Sequence, residues 1–211
     1  MFISFEGTEG VGKSTLIASL NQSLSEKSAV VLTREPGGTP LAEQIRELLL
    51  TPKQEQMNPA TELLLIYAAR AQHLDQVIVP ALSANKIVLC DRFVDASVAY
   101  QHGGRGMDKS QIDLLTDTFV AKMPDLTFWL DLPVEQGMQR AKNRGALDRF
   151  EQEKIEFFQR IQASYRQLAE QHPQRIIRLD ASQSAKQLHQ QALEIIEKFL
   201  GGKAVSEINP M

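Results

Sequence analysis

Along the chain, short apolar runs alternate with longer stretches in which apolar residues recur every three or four positions. Runs of the first kind suit strands buried on both faces, and the amphipathic stretches suit helices laid over them. The pattern predicts strands at Met1–Glu6, Ala29–Thr33, Lys86–Asp91, Leu126–Leu132 and Ile176–Leu179. It predicts helices over Lys13–Glu26, Leu41–Leu49, Ala60–Ser83, Ser110–Lys122, Val134–Arg144, Lys154–Gln171 and Ser184–Leu200. Such alternation implies an α/β fold, a parallel sheet covered by helices on both faces. Asn58-Pro59 reads as an N-cap followed by proline at the first helical position, and Ser110 as the cap of its helix. Asp95–Gly106 reads as a polar loop, while Phe119, Phe128, Trp129, Phe157 and Phe158 fall at core spacing.

Composition narrows this picture. The 211 residues, 43% hydrophobic and 23% charged, fit one domain over residues 1–200 with a polar tail at 201–211. Twenty-three basic against 26 acidic residues give a net charge of -3, which argues against a nucleic-acid partner held by bulk positive field. The single cysteine, Cys90, allows no internal disulfide and reads as a buried thiol in a reducing compartment. No basic leader precedes an apolar segment, and no window approaches the ~18 uncharged apolar residues of a membrane span, so a cytoplasmic protein is expected. The four histidines show no metal-site spacing.

The chemistry begins where the first strand ends. Gly7-Thr8-Glu9-Gly10-Val11-Gly12-Lys13-Ser14 matches GxxxxGK[ST], and the helix that follows opens with Thr15. Glycines let such a loop turn successive N–H groups inward, the helix N-terminus adds positive potential, Lys13 reaches the terminal phosphates and Ser14 can hold Mg²⁺. The glycine spacing is not that of a dinucleotide fingerprint. Asp91 closes a buried strand where P-loop proteins place the acid that holds Mg²⁺, directly or through water. Arg92 beside it is suited to a phosphate.

Two more arginine groups stand out: Arg34-Glu35-Pro36-Gly37-Gly38 with Arg46, and Arg140 to Arg149, where Gly145 breaks a helix. Arg140 and Lys142 alone fit an ordinary helix end, but Arg149 lies beyond the break, so residues 140–151 read as a short basic lid. Transfer of a phosphoryl group needs such cations, because its charge must be stabilised away from water. Neither NKxD nor DxxG nor an LSGGQ-like run is present, which disfavours GTPases and transporter ATPases and leaves a small kinase. A kinase for another phosphate acceptor and a non-catalytic ATP-binding module remain open.

In chain order, FEGTEGVGKS, TREPGG, IYAARAQH, DRFVDASVAYQ, GGRG and RGALDRFE resemble bacterial thymidylate kinases from Phe2 to about Asp180. The resemblance implies a P-loop NTPase three-layer fold with a five-stranded parallel sheet, a homodimer, and synthesis of dTDP and ADP from dTMP and MgATP. It implies that Arg34, Arg46 and Arg92 surround the dTMP phosphate, that Glu35 belongs to the dTMP site, and that Glu9, Asp91 and Ser14 lie near the metal and reacting phosphates. Arg70 would meet the thymine edge, and Ser97, Tyr100 and Gln101 the base and sugar. Arg144 and Arg149 would act as lid arginines alongside Lys13, Arg92 and Glu9. Where many relatives stack an aromatic on thymine this chain has Ile66, so either Ile66 or its neighbour Tyr67 takes that place.

Overall fold

The computed structural model describes residues 1–52, 54–143 and 148–202. Its sheet is built on β1 (Phe2–Glu6), β2 (Val30–Arg34), β3 (Ile87–Asp91), β4 (Leu126–Asp131) and β5 (Ile176–Asp180), in the order β2-β3-β1-β4-β5. Every pairing is parallel, with Phe2 beside Val88 and Ile3 beside Leu126 in the two central ladders. The three inner strands are apolar because both faces are covered; every residue of β1 and β4 is buried. The edge strands alternate instead, and Leu32 on β2 and Arg178 on β5 turn outward.

Side chains of opposite pleat feed two apolar layers. On one face, Ile3, Phe5, Leu89, Phe128 and Leu179 meet α1 (Lys13–Ser25) and α9 (Ala185–Leu200) through Leu16, Leu20, Leu188 and Ile196. On the other, Phe2, Val88 and Cys90 pack with Leu74, Ile78 and Phe93, while Trp129 joins the cluster of Leu63, Phe158, Ile161 and Tyr165. These come from α3 (Pro59–His73) and α8 (Ile155–Gln171), with α2 (Pro40–Leu50), α4 (Val79–Ser83), α5 (Val94–Ser97), α6 (Lys109–Phe119) and α7 (Val134–Lys142) completing the layers. No helix among the described residues is long and apolar enough to cross a membrane.

Four local expectations change. The stretch foreseen as one helix from 60 to 83 passes through a π-helical segment, Leu74–Ile78, before α4. Pro80 accounts for it, since it lacks an N–H and crowds the carbonyl four residues earlier. Asn58 does cap α3, accepting from Ala60 N with Pro59 following, but α6 is capped by Asp108, and Ser110 only donates its N–H to that carboxylate. Phe119 is 52% exposed rather than core. The expected polar loop at 95–106 is largely helical, α5 running into a π-helical segment Val98–Gly104, because Val94, Val98 and Ala99 anchor it to the core.

One close approach fixes the phosphate loop against the helical layer. Gly10 has φ 72, and a Cβ there would lie 2.0 Å from the carbonyl oxygen of Gly137 on α7; a Cβ on Gly137 would in turn lie 2.6 Å from Glu9 O. Glycine inside a helix ordinarily costs about 0.5–1 kcal/mol relative to alanine. Here it buries backbone against backbone, so Gly137→Ala is expected to lower stability by about 1–3 kcal/mol in urea denaturation instead of raising it. A variant as stable as the parent would show that the contact is slack.

Candidate active site

Ligands of open α/β sheets collect outside the carboxyl ends of the strands. There β1 delivers the Gly7–Ser14 loop, β2 leads to Glu35 and β3 ends at Asp91-Arg92, all around a cavity of about 510 Å³. Gly7, Gly10 and Gly12 have φ of 136, 72 and 99, backbone that side-chain-bearing residues rarely adopt. Lys13 folds over this loop, Nζ donating to Gly7 O at 3.0 Å and Thr8 O at 2.9 Å. Burial, and next the Arg92 charge, push the Lys13 ammonium down from 10.5 to about 8. Glu9, Gly10, Val11, Gly12, Lys13, Ser14 and Thr15 line the cavity, and Gly7 and Thr8 lie beneath it.

Arg92 ties the loop to the end of β3. Its φ of 70 is unusual for a residue with a Cβ. The conformation is held by Arg92 N on Phe5 O, Phe93 N on the buried Glu6 carboxylate and the Cys90 thiol on Arg92 O. The guanidinium then donates to Gly7 O at 3.0 Å and Glu9 Oε1 at 2.7 Å, lying 4.8 Å above the Tyr100 ring, whose hydroxyl also reaches Glu9 Oε1. Glu9 Oε2 and Asp91 Oδ1 are left buried without a protein partner. Two unpaired carboxylate oxygens, on residues that line the same cavity as Ser14, are hard donors of the kind that Mg²⁺ takes together with substrate phosphates. No cluster of three or more His, Cys, Asp or Glu capable of caging a metal occurs among the described residues.

The far end is a second polar pocket. Glu35, almost fully buried, receives Arg70 Nε at 2.7 Å and faces His73 Nδ1 at 3.0 Å. Arg70, which lines the cavity, donates from Nη2 to Phe93 O and Ser97 Oγ; its guanidinium lies 4.5 Å from the Tyr67 ring and 5.2 Å from that of Phe93, and its Nη1 is buried without a partner. Ile66, Ser97, Tyr100 and Gln101 line the same wall. Of the two residues considered for the stacking place, Ile66 is therefore at the cavity, while Tyr67 turns its hydroxyl to Thr116 and supports Arg70 from behind.

The foreseen cations divide. Arg46 lines the cavity, donating to Pro36 O, and burial together with the Arg34 and Arg92 charges lowers its proton affinity, the mark of a site short of an anion. Arg34 is not brought there; its half-exposed guanidinium pairs with Glu43 at 2.7 Å. Arg149 is also off the cavity wall: Nη2 reaches Glu62 Oε2 at 2.6 Å and Nε reaches Leu49 O, because the buried Glu62 carboxylate draws in countercharge. Arg144 lies outside the described residues, as does the centre of the expected lid. Arg140, readable in sequence as an ordinary helix end, does line the cavity.

Sequence reasoning missed Phe93, Leu49, Ala96 and Phe150 on the wall, and the buried Glu62 and His73 behind it. The apolar ones carry no signal distinguishing wall from core. His73 and Glu62 had one, a charged or polar residue on the apolar stripe of a helix.

Comparison with known proteins agrees with this geometry. The family model described as Thymidylate kinase matches residues 5–192. The thymidylate kinase of Acinetobacter baylyi is 63% identical over 202 residues, 95% of this chain and 100% of that protein. That of Acinetobacter baumannii strain SDF is 61% identical over 198 residues, covering 93% and 100% respectively. A crystal structure of thymidylate kinase from Ehrlichia chaffeensis superposes with a TM-score of 0.76 at 34% identity, covering 93% of this chain and 98% of that one. With a glycine-rich phosphate loop at the carboxyl ends of a parallel sheet, a family model over residues 5–192 and relatives matched over their full length, this chain belongs to the thymidylate kinase family.

Proposed function

We propose that this protein transfers the γ-phosphoryl group of ATP to dTMP, giving dTDP and ADP. The observation that carries the reading is a single continuous cavity with the phosphate loop at one end and the unpartnered Arg70 Nη1 at the other. ATP phosphates lie on the N–H groups of the loop and on Lys13; the thymine edge meets Arg70 and Gln101, with Ile66 and Phe93 along the ring. Arg46 and Arg92 hold the acceptor phosphate between them.

The acceptor phosphate oxygen is already anionic at neutral pH, so transfer needs no strong base. Positioning and charge supply the rate. In this reading Arg92 serves both: its hold on Gly7 O supports a charge lying between the two phosphates. Glu9, Asp91 and Ser14 are the groups to hold Mg²⁺, which when bound neutralises oxygens of the transferred phosphate. We read residues 140–151 as a lid in which Arg140 meets the phosphates and Arg149 anchors the segment through Glu62, with Arg144 as a further cation of the same segment. We place the protein in the cytoplasm, where both substrates are available. We further read it as a homodimer through α3 and α6, whose Leu64, Leu114 and Phe119 are 58%, 66% and 52% exposed.

A coupled ADP-release assay with MgATP and dTMP, dUMP, dCMP, dGMP or AMP should show selective turnover of dTMP; ATP binding with no turnover on any acceptor would overturn the reading. Sedimentation velocity should give a dimer that Leu114→Lys converts to a monomer, and a monomeric parent protein would remove the dimer from the proposal. The Lys13 value yields a pH signature. Free Lys13 is partly neutral near pH 8, whereas bound phosphates favour the charged form, so ATP affinity falls as pH rises past about 8 and binding there takes up a proton. Titration calorimetry near pH 8 in two buffers of different ionisation enthalpy should detect that proton, with no such difference for Lys13→Met. Equal heats for the parent protein would show that Lys13 is charged before ATP arrives.

A further inference from the structure

Two residues of the cavity wall, Arg70 and Gln101, keep a side-chain atom without a protein partner among the described residues, and they differ in kind. Arg70 can only donate, whereas the Gln101 carboxamide offers either an oxygen acceptor or an NH₂ donor according to which way it is turned. A residue away from the cavity settles the matter. Glu62, on the buried face of α3 and 1% exposed, lies behind Gln101 and accepts from its Nε2 at 3.0 Å. Arg105 donates to the same carboxylate oxygen at 3.3 Å, and Arg149 to the other at 2.6 Å, so the Glu62 carboxylate acts as an acceptor toward every one of its neighbours among the described residues. Turning the carboxamide over would set its oxygen against a carboxylate oxygen. Gln101 Oε1 is thereby left toward the cavity, where it bonds to nothing among the described residues.

We infer that Glu62 is a positioning residue for base selection: it locks the Gln101 carboxamide with its oxygen toward the acceptor, so that Arg70 Nη1 and Gln101 Oε1 form a donor beside an acceptor. That pair matches an imide edge, a carbonyl next to an N–H, as in thymine and uracil. It opposes the amidine edge of cytosine, which presents an amino group next to a bare ring nitrogen. A site built on buried hydrogen bonds discriminates strongly because the wrong partner leaves its polar groups unpaired. The π-helical segment Val98–Gly104 contributes by carrying Gln101 to the cavity and, one residue beyond its end, Arg105 to Glu62. The inference rests on the reading of this end of the cavity as the dTMP site.

The test compares kcat/KM for dTMP, dUMP and dCMP. Glu62→Gln frees the carboxamide to turn, so dTMP and dUMP should lose the same factor, ~10–100-fold, while dCMP holds or gains and the preference collapses. If all three fall together, Glu62 supports the fold alone and the inference is overturned. Arg105→Gln removes a neighbour of Glu62 but leaves the carboxylate on Gln101, and it should keep the preference; loss of preference there would equally overturn it. Gln101→Ala separates the two levels. Unchanged preference in that variant means that the base is not read at this place at all, whereas collapse in Gln101→Ala with preference kept in Glu62→Gln defeats only the role of Glu62. Should Glu62→Gln not fold, neutron diffraction from the dTMP complex decides the same point: deuterium on the Gln101 nitrogen facing Glu62 supports the inference, and deuterium facing the base refutes it.

Discussion

The structure depends on holding Arg92 in a backbone conformation that a residue with a side chain avoids. A left-handed φ at such a position costs on the order of 1–3 kcal/mol and persists only where the surroundings over-determine it. Here β1, β3 and α8 all contribute: Phe5 takes the Arg92 N–H, and Glu6, itself held by Tyr165, takes the next one. Burial, and then the nearby Asp95 charge, push the Glu6 carboxyl upward, so this support is itself made at an electrostatic cost. The result is a guanidinium fixed against the phosphate loop on the cavity wall, a charge already in place before any ligand enters.

Around that point the fold uses buried carboxylates as fixtures more than as reagents. Glu6 sets the chain after Arg92, Glu35 sets Arg70, and Glu62 gathers Gln101, Arg105 and Arg149. For the ion-paired Glu35 and Glu62, removing a single member leaves an uncompensated buried charge, which is more damaging than losing the contact itself. Two of the family's sequence signatures acquire a physical reason in this way. Thr33 and Glu35 of TREPGG meet His73 and Arg70 of IYAARAQH, so those segments are two halves of one hydrogen-bonded assembly.

Much of this was legible in the sequence because it is local or periodic. Inner strands announced themselves by unbroken apolar runs, and the phosphate loop by glycines whose conformations a side chain would forbid. The helical character of residues 94–104 was not legible, since its polar residues face a cavity that exists only after folding. Nor was the separation of Ile66 from Tyr67: adjacent residues on a helix point about 100° apart, and which one meets the cavity depends on how α3 is rotated against α6. Arg34 and Arg149 show the converse limit. Their charge was visible, but Glu43 and Glu62, which claim them here, are acids whose proximity only the tertiary fold creates.

Cys90 adds a consequence of a practical kind. It is the chain's only cysteine, completely buried on β3, with its thiol committed to Arg92 O and its ionisation suppressed mainly by burial. A thiol in that state presents neither the thiolate nor the access that electrophiles and peroxides require. Reporter dyes can therefore be attached through cysteines introduced at exposed positions such as those of α6 with the native sulfur left in place, in an otherwise unaltered molecule.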